Sequence, residues 1–474
     1  MPESPFAVRN VRLFLAFRVL FNARFYYPIF TVLFLDFGLT LEQFLLLNGV
    51  WAVSIVLLEV PSGALADVVG RRQLVVYAGA LMVVEMALLA FAPINGGVWL
   101  LIVMLLNRVL SGAAEAAASG ADEALAYDSL DARGLADQWP RVLQRMMQLQ
   151  SAGFVVALLL GAFLYDASAL EATLAAVGFQ ADIGKELSMR LPLFLGLGTA
   201  VLTLLVALRM RNIPTEDERH AASERGLARL RRSIADSSRT ILQAARWIGR
   251  TPAALMLIVA GFLFDSVIRT FVTMTSEYYR VIGLPEAAFG VVGATTAALG
   301  VLVPIAGRWL AEHRSPVFNF WLLFGLTLGA LFGIAQTWEW WGLIPVVPIF
   351  MLMSLLGFFL SFYLNRLSDK RQRATVLSFR SLAFNLAYGL ASAGYALLTG
   401  VLRDDLATRS PELGADALQR GVFVEALGWL PWIFLTMAAL YILAALWQAH
   451  HSRFIQKIDE IRSKNIKPAP PSNG

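Results

Sequence analysis

Cysteine is absent from this chain. Disulfides and thiolate metal sites are therefore excluded. Histidine is scarce: His220, His313, His450 and His451 are the only four, and all fall in loops or at the end of an apolar run. That placement argues against a His-ligated metal or haem, and against a Ser–His dyad inside a membrane. No Gly-x-x-x-x-Gly-Lys-[Ser/Thr] loop occurs, which argues against ATP as the direct fuel. Tyr127-Asp128 matches half of an intramembrane aspartyl protease motif, but no Gly-x-Gly-Asp accompanies it. Charge is also sparse. Asp, Glu, Lys and Arg make up 15% of the 474 residues, where soluble chains carry roughly a quarter. The segment Phe6 to Phe17 is broken by Arg9 and Arg12, with no small-residue cleavage site after it. The first apolar run is therefore expected to be a retained span rather than a signal peptide.

Apolar residues are abundant, at 58%, with mean hydropathy +0.63. A run of about 20 such residues crosses a bilayer as a helix. Twelve runs are expected to do so, near 11–35, 43–66, 73–92, 97–127, 141–165, 191–210, 252–279, 287–310, 317–336, 341–365, 375–401 and 424–449. The chain is thus an all-α polytopic membrane protein, and the lipid bilayer is its first partner. The net charge of +5 raises the question of nucleic acid. The arginines answer it, because most lie in alternate loops: Arg9 and Arg12, Arg71 and Arg72, Arg133 and Arg141, the 209–250 segment, Arg308 and Arg314, Arg366 to Arg373, and the tail. By the positive-inside rule that side is cytoplasmic, with both termini on it.

Four regions are expected: a six-helix bundle in 1–210, a linker in 211–250, a second bundle in 251–450 and a tail in 451–474. In the linker, Leu227, Leu230, Ile234, Ile241, Ala245 and Ile248 recur at helical spacing among seven arginines and two acids between 223 and 250. That pattern suits a basic amphipathic helix, either on the inner membrane surface or tucked under the bundle. The two bundles echo each other. Gly38-Leu39 with Phe44 leads into the second span, and Gly283-Leu284 with Phe289 leads into the eighth at the same internal spacing. Two similarly oriented halves of six spans are what a parallel-repeat transporter requires.

Ionisable groups inside a bilayer are costly and are functional candidates by default. Here they cluster. Arg18, Asn22 and Arg24 fall in span one; Arg108, Glu115, Asp122 and Glu123 in span four; Asp265 and Arg269 in span seven. Arg108, Gly112, Glu115, Ser119 and Asp122 have the spacing of one helical face. Asp265 and Arg269 are four apart and can pair. Asp265 lies roughly 18 Å along its helix, near mid-membrane.

Between spans two and three the chain reads Gly63-Ala64-Leu65-Ala66-Asp67-Val68-Val69-Gly70-Arg71-Arg72. This resembles the G-x-x-x-D-x-x-G-R-R/K loop of the major facilitator superfamily. Gly63 is expected to allow close helix approach and Gly70 to permit the reversal. Arg108 with Gly112 looks like the R-x-x-x-G signature of proton-coupled members.

The resemblance implies twelve helices in two pseudo-symmetric six-helix halves around a central cavity lined by spans one, four, seven and ten. It implies a secondary transporter with no cofactor, working by alternating access, most similar to bacterial drug–proton antiporters. Expected are proton-coupled export of a small amphipathic compound, protons as the coupling ion, a monomer, and residence in the bacterial inner membrane. The alternatives are proton-coupled uptake, facilitated transport, and a non-transporting sensor of the same fold.

The substrate and proton pathway is expected to include Arg18, Asn22, Arg24, Arg108, Glu115, Asp265 and Arg269. Asp265 is favoured for coupling, ahead of Glu115. The cytoplasmic gate is expected to include Glu59, Gly63, Asp67, Gly70, Arg71, Arg72, Asp122, Asp128 and Arg380. Either Asp122 or Asp128 should pair with Arg71, and Arg380 should join Asp67. The sequence departs from the antiporter pattern in span five, where Gly153 and Gly161 are present but the expected Pro is missing.

Overall fold

A computed structural model describes residues 4–213, 226–368 and 373–451. The regular elements are helices, with no strand among the described residues. Eleven stretches are long and apolar enough to cross a membrane among those residues. They correspond to expected spans two to twelve.

The first expected span is different. It is two short helices, α1 (Arg9–Asn22) and α2 (Phe30–Asp36). The chain leaves helical geometry at Ala23 (φ −77°, ψ 69°) and re-forms through a tight turn at Tyr27–Ile29. Pro28 lies in that turn and has no N–H to continue a helix. Irregular backbone at membrane depth persists only where protein covers it. Here α7 (Trp139–Tyr165) supplies the cover. Ala157 packs with Ala23 and Phe25. A Cβ at Gly161 would lie 1.7 Å from the Phe25 carbonyl oxygen, so the break in span one is seated directly on a glycine of span five.

The helices α3 (Leu41–Val69) and α4 (Arg71–Ala90) meet at Gly70, whose φ of +93° only glycine adopts readily. The expected role of Gly70 as the reversal point is thus met. Gly63 is not a close-approach residue, since a Cβ there would meet no atom within 4 Å. Close approach belongs instead to Gly112 in α5 (Val98–Ala118), where a Cβ would lie 2.7 Å from Ser54 Cβ and 3.0 Å from the Trp51 carbonyl.

Span four also breaks. After α5 the chain turns at Gly120 (φ +76°) and starts α6 (Ala121–Asp131). The expected single face from Arg108 to Asp122 therefore ends at Ser119. Helical spacing cannot carry register across a left-handed residue.

After α8 (Ala167–Ala176) and α9 (Lys185–Arg209) comes α10 (Gly226–Arg250). Its far end docks on protein: Ile248 packs with Ala254, Ile258, Leu364 and Val376. Arg231, Arg239, Arg246 and Arg250 are exposed. Span seven is α11 (Pro252–Thr273) followed by α12 (Thr275–Val281). The rest comprises α13 (Glu286–Leu299), α14 (Val303–His313), α15 (Pro316–Ala335), α16 (Leu343–Leu367), α17 (Arg373–Arg409) and α18 (Ala415–His451).

Contacts divide the chain into two compact units. The first holds 1–239, 274–295 and 392–397; the second holds 240–273, 296–391 and 398–474. In the first, α4 packs on α5 and α9, α3 on α5, and α1 on α7 and α9. In the second, α11 and α15 each pack on α16 and α18. Large apolar side chains such as Leu390, Leu397, Val401 and Leu440 remain exposed along the spans, as helices facing hydrocarbon require.

The sequence echo has a structural counterpart. α2 and α12 are both seven-residue helices that follow a break, and both end on a left-handed glycine, Gly38 (φ +104°) and Gly283 (φ +82°). Leu39 N–H donates to the Phe34 carbonyl (3.3 Å), and Leu284 N–H donates to that of Tyr279 (3.0 Å). These are the same six-to-one bonds of a Schellman cap. Phe44 and Phe289 are both buried.

Candidate functional site

In the first unit the break in span one turns Arg24 inward, where it pairs with Glu85 of α4. Both are buried. Arg24 also stacks over Phe21. Asn107 of α5 donates to the Glu85 backbone carbonyl (2.7 Å), while its side-chain oxygen accepts two bonds from Arg108 (2.9 and 2.7 Å). Arg108 is buried and lies over the rings of Phe30 and Phe34. It makes no ion pair among the described residues. Arg108 and Glu115, which share a helical face, do not pair in this structure; Asn107 and two aromatic faces satisfy the guanidinium instead.

Within α1, Arg18 donates to Asp122 (3.0 Å) and Glu123 (2.8 Å) at the start of α6. Asp122 thus belongs with Arg18, not with Arg71. Asn22 donates to the Arg18 carbonyl and closes the end of its own helix. Between these pairs sits Glu115. It is exposed, it has no ion pair among the described residues, and it lies within Coulombic reach of Arg24, Glu85 and Arg18. Tyr27, 46% exposed, is also within reach of it. The local charges are Arg18 and Arg24 against Glu85, Glu115, Asp122 and Glu123. Carboxylates are in surplus, and Glu115 is the accessible unpaired one. The aromatic side chains of Phe25, Tyr26, Phe359 and Tyr363 are buried.

In the second unit Arg269 donates to Asp265 (2.9 Å), the pairing that their spacing predicts. Asp265 is buried. Arg269 also donates to Asn385 of α17 (3.1 Å) and lies 5.2 Å from the Tyr388 ring centroid. Arg380, expected beside Asp67, stands within Coulombic reach of Asp265 in its own unit.

At the signature loop, Arg71 pairs with Asp128. Arg72 donates to the carbonyls of Met210 (2.7 Å) and Leu208 (2.9 Å), and Arg9 to that of Arg209 (3.0 Å). Cations at a helix C-terminus satisfy its orphan carbonyls and its dipole. The loop therefore fastens α4 to α6 and to the end of α9. Glu59 has a buried carboxylate oxygen, Oε2, without a hydrogen-bond partner. The Asp67 side chain lies outside the described residues.

Residues 13–399 match the model of the Major Facilitator Superfamily. The chain belongs to that superfamily. Its likeness to solved members supports the same fold. A bacterial homologue of the human lysosomal transporter Spinster, in an inward-facing unoccupied conformation, has 15% identity and a TM-score of 0.64, with 94% of this chain and 98% of that chain covered. The nucleoside transporter NupG has 11% identity and a TM-score of 0.62, with coverage of 91% and 98%. A D-xylose–proton symporter has 12% identity and a TM-score of 0.56, with coverage of 90% and 96%. No curated protein matches.

In this superfamily member the end of the first unit opposite the signature loop carries a network that the sequence reading missed. Asp36 at the end of α2 accepts two bonds from Arg280 of α12 (both 2.8 Å) and one from Tyr165 of α7. Arg280 continues to Glu286 (2.9 Å), which also pairs with Lys185. Ser276 of α12 caps α2 from outside, accepting from Thr31 N–H (2.9 Å) and Val32 N–H (3.1 Å). Asp166 joins by accepting from Ala287 N–H (3.0 Å). Burial pushes the Asp166 carboxyl up, but hydrogen bonds from Ser168, Ala287 and Ala169 and the Lys185 charge outweigh it and hold it below its ordinary value. Its contribution is therefore present above the ordinary aspartate range and is lost as pH falls through the lowered value.

The sequence signal for this network was the shared ending of α2 and α12, which places Asp36 and Arg280 at matching helix ends. A double-mutant cycle between Asp36→Asn and Arg280→Gln is expected to return a coupling of about 1–2 kcal/mol in thermal unfolding. A coupling near zero would show that Lys185 and Tyr165 alone hold Asp36.

Proposed function

We propose that the protein is a proton-coupled secondary transporter for a small amphipathic compound, working by alternating access as a monomer in a bacterial inner membrane. In this proposal the signature-loop end faces the cytoplasm, because the arginine-rich loops share that side. The observation that carries the reading is Glu115: an accessible carboxylate without an ion pair among the described residues, beside Arg18 and Arg24, which are each paired with other carboxylates. An unpaired carboxylate at membrane depth is costly. A proton removes that cost, so occupancy of Glu115 by a proton can be tied to which side the site faces.

Asp265 is less suited to the task. It is buried and already paired with Arg269, with Arg380 nearby, whereas Glu115 is exposed and has no ion pair among the described residues. The first reading of direction is export, as the resemblance to antiporters implies. Uptake is the second reading. It is favoured by span five, which lacks the antiporter Pro and whose Gly161 is committed to packing on Phe25. One of the structurally similar proteins is a D-xylose–proton symporter.

The test is a flux screen in proteoliposomes with an imposed pH gradient. Wild-type protein is expected to accumulate at least one amphipathic compound against its gradient. Glu115→Gln should lose accumulation but keep downhill exchange. Accumulation that survives Glu115→Gln and is lost in Asp265→Asn would move the coupling site to the second unit.

A further inference from the structure

Around Asp265 in the second unit, the described residues bring two guanidinium groups, Arg269 and Arg380, to one carboxylate. Arg269 spends Nη2 on Asp265 and Nη1 on Asn385. Its Nε is buried with no hydrogen-bond acceptor. Arg380 makes no hydrogen bond or ion pair among the described residues, and its Nη1 is likewise buried without an acceptor. The charge it feels is the same Asp265. Arginine cannot discard its proton in a protein. Both side chains are only partly exposed, and a cation drawn partly out of water without a counter-charge of its own is unfavourable. The surplus positive charge and the two orphaned N–H groups therefore call for one more anion.

We infer that Arg269 and Arg380 form an anion-binding subsite in the second unit, which receives a carboxylate or phosphonate-like group of the transported compound. Planar guanidinium forks match such groups in geometry as well as charge. Arg269 is already oriented for this. Asp265 holds one edge, Asn385 another, and the guanidinium lies over the Tyr388 ring. Tyr388 in turn shares a hydrogen bond of 2.8 Å with Thr273 on the helix that carries Arg269. Asp265 is thus a positioning residue, and Arg380 is the cation free to meet the guest. Aromatic carbon lies close by: the rings of Phe384 and Phe262 are tilted against each other at 5.5 Å between centroids, and the Phe384 ring tip occupies the space where a Cβ on Gly261 would sit. An anionic head beside aromatic carbon is the environment that an amphipathic anion requires.

This subsite rests on the transporter reading, but it is separable from the proton site. The experiment is a thermal-shift titration of the purified full-length protein at constant ionic strength. The probes are phenylacetate and phenylphosphonate, with phenethylamine and phenethyl alcohol as cationic and neutral counterparts. At least one anion should raise the melting temperature in a saturable way, and the amine and the alcohol should not. Arg380→Gln should weaken the apparent affinity about tenfold or more, since a charge-assisted fork is lost. Arg380→Lys should fall between, because it keeps the charge and loses the fork.

No shift from either anion overturns the subsite. So does a shift matched by the alcohol, or an affinity unchanged in Arg380→Gln. If Arg380→Gln does not yield a monodisperse protein, Arg380→Lys decides, and wild-type affinity there overturns the proposal. Failure of gradient-driven accumulation with anion binding intact would count against the proton site alone.

Discussion

Arg24→Met alone is expected to destabilise the protein by about 3–5 kcal/mol, and adding Glu85→Met is expected to restore most of the loss. The asymmetry follows from burial. Arg24 and Glu85 are each at most 5% exposed in their side chains. Taking both charges out of water is costly, and their attraction roughly balances that cost. Removing one partner leaves the other charge buried and uncompensated. Removing both substitutes apolar side chains of similar reach. Glu85 adds to the asymmetry, because its Oε2 already lacks a hydrogen-bond partner. Thermal unfolding in one detergent, across wild type, both single variants and the double, is the measurement. A double variant less stable than either single would contradict this account of the pair.

The second large effect is expected at Gly161. A Cβ there would fall 1.7 Å from a backbone oxygen, which cannot rotate away as a side chain can. Gly161→Val should therefore force span five off the break in span one. The expected outcome is loss of a folded, monodisperse protein, or destabilisation beyond about 4 kcal/mol. Gly63→Ala is the internal contrast. It lies in a helix with open space around its Cα. The same class of change there should be neutral or stabilising by up to about 1 kcal/mol. Purification yield and melting temperature of the two variants decide the matter. Comparable behaviour at both positions would mean that span one does not rest on Gly161.

These two cases show what the sequence could and could not reveal. Hydropathy located spans two to twelve, because bilayer thickness fixes a length that composition then displays. It could not show that span one is broken, since the apolar run continues through the irregular segment. The signal was present in Arg24 and in Pro28, one needing a partner and the other lacking an N–H. Local pairs were legible: Asp265 and Arg269 sit one helical turn apart, and α-helical geometry does the rest. Distant pairs were not. Arg24 meets Glu85, Arg18 meets Asp122, and Asp36 meets Arg280 only through tertiary packing. Asp122 and Asp128 both lie at the signature-loop end of span four, and sequence alone does not say which of them meets Arg71. Arg71 pairs with Asp128, and Arg18 takes Asp122. The repeat was the most informative long-range signal. Gly38 and Gly283 end equivalent short helices because both need the left-handed conformation that closes a Schellman cap.

The central claim is that proton movement and compound movement are one event controlled by Glu115. The most direct measurement records interior pH and compound uptake in the same proteoliposomes, with no gradient of protons imposed and a gradient of compound supplied. For the wild type the account predicts that compound moving down its gradient drives a proton flux in fixed proportion to it. For Glu115→Gln it predicts compound movement with no accompanying proton flux. Compound crossing through the wild-type protein with interior pH unchanged would contradict it.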